Sequence, residues 1–220
     1  MTTVVIFDMD GVLVDSEPVW VDVEKEIYLQ RYGVSLSDED FRDTAGVRID
    51  KVLTRHHLRY GLPQQEIPAR ALDIVTEVGN RIQSAPQPMP GVEKLLETLR
   101  GRGIPLAVAS SSPQNQIERV LSALGLTHYF THLVSAEGLI NGKPHPAVFL
   151  LAAEALGVEP ESCIVIEDAV NGMVAAKAAQ MRVIVLPAPE ARSDRRFGLA
   201  DGQIDSLDEA WSEIKRLINA

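Results

Sequence analysis

Two different spacings of apolar positions follow one another along this chain, and the change between them divides it. Val4 to Phe7 is a short apolar run rich in β-branched residues, closed by Asp8, Met9, Asp10 and Gly11. A run this short, stopped by glycine, predicts a strand buried on both faces. From Glu17 the spacing becomes helical: Val19, Trp20, Val23 and Ile27 recur near helical intervals up to Tyr32, and Gly33 is a stop signal. Ser37-Asp38-Glu39-Asp40 opens a short acid-first helix, and residues 48–60 and 64–82 predict two more. Four helical patterns without a convincing strand between them predict an all-α insertion over residues 16–86.

The insertion ends at Ala85-Pro86-Gln87-Pro88-Met89-Pro90-Gly91, a hinge too rich in proline for helix or strand. Beyond it the pattern alternates: helix 92–102, strand 104–109, helix 113–124, strand 132–135, helix 146–157, strand 163–167, helix 170–180 and strand 182–186. A weaker strand at 203–204 and a helix at 207–218 complete it. This alternation predicts right-handed βαβ units, and so an α/β fold: a Rossmann-like doubly wound parallel sheet formed by residues 1–15 and 87–220, with the four-helix segment inserted. Ligands of such sheets sit just outside the carboxyl ends of the strands.

The strand ends carry matching chemistry. Asp8 and Asp10 follow the first strand, and an i, i+2 pair in extended backbone points to one side. Two crowded carboxylates need a shared proton or a bound cation, and Mg²⁺, which takes oxygen ligands beside a substrate phosphate, would serve. The second strand runs into Ser110-Ser111-Ser112-Pro113 before a helix. Hydroxyls and amides at a helix start form an anion site, so Ser110 and Ser111 are candidate phosphate contacts, although a serine there is also an ordinary cap. Gly142-Lys143-Pro144 fixes a lysine on a constrained loop, a counter-charge for phosphate; His145 beside it reads as a structural loop residue. Ile164-Val165-Ile166-Glu167-Asp168 repeats the strand-then-acids pattern. Asp168 would complete an oxygen shell with Asp8 and Asp10, and Glu167 would help directly or through water.

Composition narrows the reading. With 21 basic and 31 acidic residues the net charge is −10, which argues against a nucleic-acid surface and demands local cations for an anionic substrate. Cys163 is the single cysteine, so an internal disulfide and a thiolate metal site are excluded, and it reads as a buried strand residue. No apolar run approaches the roughly 20 residues of a membrane span, and no signal-peptide pattern opens the chain, so a cytoplasmic protein is expected. No exposed apolar stripe stands out, and a monomer is expected. Arg192, Arg195 and Arg196 fall in a polar segment, 188–202, that reads as a solvated loop.

The string DxDGxxxDS at Asp8 to Ser16, with Ser110, Lys143 and the Glu167-Asp168 pair in this order, resembles the four motifs of the haloacid dehalogenase-like hydrolases, in the subgroup with a helical cap between the first two motifs. Asp15-Ser-Glu-Pro, Gly46-Val-Arg-Ile-Asp50, Glu167-Asp-Ala-Val-Asn-Gly-Met173 and Val185-Leu-Pro-Ala-Pro-Glu190 are similar to the branch of that family acting on hexitol phosphates and 2-deoxyglucose 6-phosphate. The resemblance implies a Mg²⁺-dependent phosphatase of small sugar or polyol phosphates, with Asp8 as nucleophile forming an aspartyl phosphate and Asp10 as general acid and base. It implies a closing cap, for which Arg48, Glu17 and Trp20 are candidate substrate contacts; Arg48 reads equally as a helix N-terminal surface residue, and Trp20 on an apolar helix face reads more as core. His56 and His57 read as cap-helix surface.

Other members of the family are weighed against this. Similar sugar phosphomutases carry a histidine where this chain has Trp20; a dehalogenase would not need Asp10; a phosphonate hydrolase would need a cap lysine, for which Lys51 is the near candidate. A non-catalytic scaffold would have little reason to keep every charged residue of the four motifs.

Overall fold

The computed structural model describes residues 3–219; residues 1, 2 and 220, expected in the sheet-bearing part, lie outside the described residues. Six strands form one parallel sheet: β1 (Val4–Phe7), β2 (Leu106–Ser110), β3 (His132–Ser135), β4 (Cys163–Glu167), β5 (Arg182–Val185) and β6 (Gly202–Gln203). Their spatial order is β3-β2-β1-β4-β5-β6. All four residues of β1 are fully buried, which suits the uniformly apolar run to a central strand. The chain winds outward through β2 and β3, then crosses back to β4 and winds the other way. The order therefore reverses between β1 and β4, which opens a crevice at their carboxyl ends.

Strand alternation sorts the core into two layers. On one face Val5, Phe7, Val108, Ile164 and Ile166 pack with α4 (Val92–Arg100), α5 (Gln114–Ala123) and α8 (Leu207–Ile218). On the other, Val4, Ile6, Ala109, Val165 and Val183 meet α6 (Ala147–Leu156) and α7 (Val170–Ala178). Element bounds follow the sequence pattern within a few residues. The strand expected at 104–109 begins only at Leu106, after Pro105, which has no N–H to give to a ladder. Cys163 is buried in β4, as its apolar setting predicts.

Between β1 and α4 lie α1 (Glu17–Tyr32), α2 (Ile49–Tyr60) and α3 (Ile67–Ser84), with the fourth expected helical segment reduced to a 3₁₀ turn at Asp38–Phe41. The three helices pack on one another and α3 also packs on α5, so Val23, Leu53, Ile74 and Val78 extend the first core layer. His56 and His57 are buried, which corrects the surface assignment. They continue the apolar stripe of Val52 and Leu53 one turn along α2, against the rings of Tyr28, Tyr32 and Phe41. Among the described residues no helix is long and apolar enough to cross a membrane.

The buried Asp40 fastens the 3₁₀ turn. Its carboxylate accepts hydrogen bonds from the Ser37 amide at 2.8 Å, the Ser37 hydroxyl at 2.9 Å and the Tyr60 hydroxyl at 2.8 Å, and pairs with Arg59 at 3.0 Å. Burial works against the charge, but these donors outweigh it and hold the Asp40 pKa below the ordinary carboxylate value. A depressed pKa adds stability above the ordinary value, which is lost as pH falls through the folded one. Asp40→Asn is therefore expected to cost about 2 kcal/mol at pH 7, with the difference from wild type shrinking below about pH 4; urea unfolding at a series of pH values checks both.

Candidate active site

The crevice at the β1–β4 reversal gathers the motif residues. Asp8 leaves β1 with its amide donating to the Ile166 carbonyl at 2.9 Å, which ties it to the neighbouring strand. Lys143, from the loop after β3, places its ammonium 2.5 Å from Asp8 Oδ1 and 2.6 Å from Glu167 Oε1. All three side chains are almost wholly buried. Burial alone would lower the lysine pKa, but Asp8 and Glu167 outweigh it and hold the ammonium charged. Burial raises the Asp8 pKa, Lys143 opposes the shift, and the neighbouring acids Glu167 and Asp10 add to it.

Glu167 is fixed further by the amides of Asp168 and Ala169, each donating to Oε2 at 3.0 Å. This tight turn needs a glycine: a Cβ on Gly172 would lie 1.7 Å from Glu167 Oε1. Gly11 has a similar duty. Its φ is +73°, and a Cβ there would meet Asp168 Oδ2 at 2.2 Å, so the loop after β1 and the Asp168 carboxylate are packed backbone to side chain.

Carboxylate oxygens of Asp8, Glu167 and Asp168 lie within 4.8 Å of one another. Burial first, then Glu167 and Asp8, raise the Asp168 pKa well above the ordinary carboxylate range. An oxygen-only set with excess negative charge fits a hard divalent cation. Asp10, expected beside Asp8, is not brought into this group. β1 ends at Phe7, so strand alternation no longer applies, and the Asp10 carboxylate turns toward other donors. Ser16 reaches Oδ1 at 2.5 Å, Trp20 Nε1 reaches it at 2.9 Å, and Ser112 Oγ reaches Oδ2 at 2.9 Å. Ser16 stands at the start of α1 without capping it, its hydroxyl being given to Asp10.

Ser110 and Ser111 both line the cavity beside Asp8 and Asp10. Ser110 Oγ accepts from the Ser112 amide at 3.1 Å, and Ser111 Oγ donates to the Gly46 carbonyl of the helical insertion at 2.7 Å. Arg48 lies outside the cavity lining. Its guanidinium pairs with Asp50 at 2.6 Å and donates to the carbonyls of Ala136 at 3.1 Å and Leu139 at 2.6 Å. On the other flank Asn171 donates to the Ala45 carbonyl at 3.1 Å and Arg196 pairs with Asp43 at 2.7 Å. The segment 43–50 is thus held over the crevice from both sides. Trp20 and Glu17 do line the cavity; burial, then Asp10 and Glu24, push the Glu17 pKa up to about 7. Lys51 is exposed, away from the lining, and His145 is exposed on its loop.

Two lining residues were missed in the sequence. Ser112 was grouped with the serines but given no role, though it is the one that holds Asp10. Glu24 has no apolar signature of its own in the sequence, and the packing of α1 against α2 buries it. A carboxylate four residues after Trp20, on the same helix face, was the available signal.

The description haloacid dehalogenase-like hydrolase matches residues 2–180 of this chain. Hexitol phosphatase B of Escherichia coli is 41% identical over 208 residues, covering 93% of this chain and 92% of that protein. A phosphorylated carbohydrates phosphatase of Thermotoga maritima is 35% identical, over 80% of each chain. A crystal structure of beta-phosphoglucomutase from Clostridium difficile superposes with a TM-score of 0.87 at 26% identity, covering 100% of this chain and 98% of that one. Sequence, fold and the grouping of Asp8, Lys143, Glu167 and Asp168 at the strand reversal agree: the chain is a hydrolytic enzyme and belongs to the haloacid dehalogenase-like hydrolase family.

Proposed function

We propose that this enzyme is a Mg²⁺-dependent phosphoric monoester hydrolase for small sugar or polyol phosphates, such as hexitol phosphates or 2-deoxyglucose 6-phosphate, working through an aspartyl phosphate on Asp8. The observation that carries the reading is the buried Asp8–Lys143–Glu167 arrangement, which keeps one carboxylate in place beside a serine-lined cavity. The names of the similar proteins, hexitol phosphatase B and a phosphorylated carbohydrates phosphatase, support the substrate class.

In this mechanism the Asp8 carboxylate attacks phosphorus, splitting one difficult displacement into two easier ones. Lys143 stabilises the charged form of Asp8 and positions it. Asp10 protonates the departing sugar oxygen and then takes a proton from the water that cleaves the aspartyl phosphate. Ser16, Trp20 and Ser112 fix its carboxylate for both duties. Ser110, Ser111 and neighbouring backbone amides bind the phosphoryl oxygens. Asp8, Glu167 and Asp168 would hold a Mg²⁺ ion, which would supply positive charge to those oxygens.

Residues 16–86 act as a cap over a catalytic core of 1–15 and 87–220. The cavity of about 60 Å³ is far below the roughly 300 Å³ lower bound of ordinary ligand pockets, so substrate enters when segment 43–50 lifts. Arg48 serves as a latch for that segment through Ala136 and Leu139. The same reading places the enzyme in the cytoplasm as a monomer acting on small molecules; its net charge of −10 disfavours nucleic acid and anionic membrane surfaces.

A sugar phosphomutase is the second reading, favoured by the superposition on beta-phosphoglucomutase. The Trp20 indole, which donates to Asp10, occupies the position where such mutases carry histidine, and weighs against it.

Steady-state phosphate release with and without Mg²⁺, across hexitol, deoxyhexose and hexose phosphates and nucleotides, tests the function. Mg²⁺-dependent release with the highest kcat/KM on hexitol or deoxyhexose phosphates is expected. Conversion of a hexose 1-phosphate to its 6-phosphate without free phosphate would favour the mutase instead. Asp8→Asn is expected to lower kcat by on the order of 10⁴-fold or more, with the fold intact by circular dichroism. Gly172→Ala, a change that favours an isolated helix by about 1 kcal/mol, is expected here to displace Glu167 and reduce both activity and the rise in Tm that Mg²⁺ produces.

A further inference from the structure

Glu24 sits on α1 one helical turn beyond Trp20, on the same face, with a rise of about 6 Å between the two residues along the helix axis. It is 5% exposed and lines the cavity. Its Oε2 lies 3.2 Å from His56 Nε2, and His56 is itself 1% exposed, wedged between the rings of Tyr28 at 5.5 Å and Phe41 at 5.8 Å. Among the described residues no donor reaches Glu24 Oε1. Glu24 lines the cavity, so this unpaired carboxylate oxygen is available as a hydrogen-bond acceptor for a ligand donor. Burial raises the Glu24 pKa while His56 opposes the shift.

The rest of the lining points the same way. Around Glu24 stand Trp20, Phe41, Val47 and Val52, apolar walls suited to a carbon chain. Asp10 and Glu17 add acidic groups, and among the described residues no lysine or arginine lines this cavity. A phosphoryl group is served by Ser110 and Ser111 beside Asp8, with Lys143 buried behind Asp8 outside this lining. A second anion at the far end would be desolvated beside carboxylates with no counter-charge, an uncompensated cost that rejects it.

We infer that Glu24, positioned by His56, selects the substrate: it accepts hydrogen bonds from hydroxyls of the leaving group, so that the enzyme takes monophosphate esters of neutral polyols and sugars and excludes phosphorylated sugar acids and bisphosphates. This rests on the phosphatase reading and narrows it.

The test compares glucitol 6-phosphate with 6-phosphogluconate, which differ only in whether the far carbon bears a hydroxyl or a carboxylate, with p-nitrophenyl phosphate as an ester lacking hydroxyls. For the wild-type enzyme kcat/KM is expected to be at least about 100-fold higher for glucitol 6-phosphate than for 6-phosphogluconate. In Glu24→Gln that ratio is expected to fall about 10-fold or more, and the preference for glucitol 6-phosphate over p-nitrophenyl phosphate to fall with it, chiefly through KM for the polyol ester. These ratios are internal to each protein, so a smaller folded fraction in the variant cancels. Equal turnover of the neutral and carboxylated esters by wild type, or ratios unchanged in Glu24→Gln, would overturn the inference while leaving the phosphatase reading standing. No phosphate release from any ester by wild type would bring down both.

Discussion

The site depends on one buried ammonium. Lys143 stands between Asp8 and Glu167 with none of its side chain open to solvent. Removing those charges from water costs several kcal/mol each unless they are paired. One cation faces two carboxylates, and burial first, then the neighbouring carboxylates, raise the pKa values of Asp8 and Asp168. The surrounding geometry preserves the arrangement: the Ile166 carbonyl holds the Asp8 amide, two backbone amides hold Glu167, and Gly172 and Gly11 keep side chains out of space the carboxylates occupy. The carboxylates of Asp8, Glu167 and Asp168 thus form an oxygen-only cluster whose negative charge Lys143 offsets only in part, a set that fits a hard divalent cation.

Much of this was legible along the chain. The all-apolar Val4 to Phe7 run declared a central strand, and the alternation after Gly91 gave the sheet, because burial on both faces leaves no polar position to confuse the period. The residues at strand ends were found for the same reason: a charged residue directly after a buried strand stands out. Side-chain direction beyond the strand was less legible. Asp10 was placed with Asp8 by extrapolating the strand alternation through a turn that abandons it. His56 and His57 looked like surface because two adjacent histidines carry no apolar signature, yet the packing of α2 against α1 put both inside. Glu24 escaped notice because its burial depends on a neighbouring helix rather than on its own segment.

Ser16 shows how local rules yield to the site. Placed where a serine normally caps a helix, it gives its hydroxyl to Asp10, and Pro18 in the first turn, which has no amide to satisfy, limits what the missing cap costs. Trp20 is similarly divided, packing against the core with its ring while its indole nitrogen serves Asp10. The first turn of α1 therefore holds Asp10 in the candidate site as well as starting the helical insertion.

Segment 43–50 touches both wings of the sheet. Ser111, Ala136 and Leu139 belong to the wing that carries β2 and β3, while Asn171 and Arg196 belong to the wing of β4 and β5. The wings are joined through β1 and by the helix pairs α4–α8 and α6–α7, and at the open edge the segment bridges them as well. It works as a tie between two banks rather than a door hung on one.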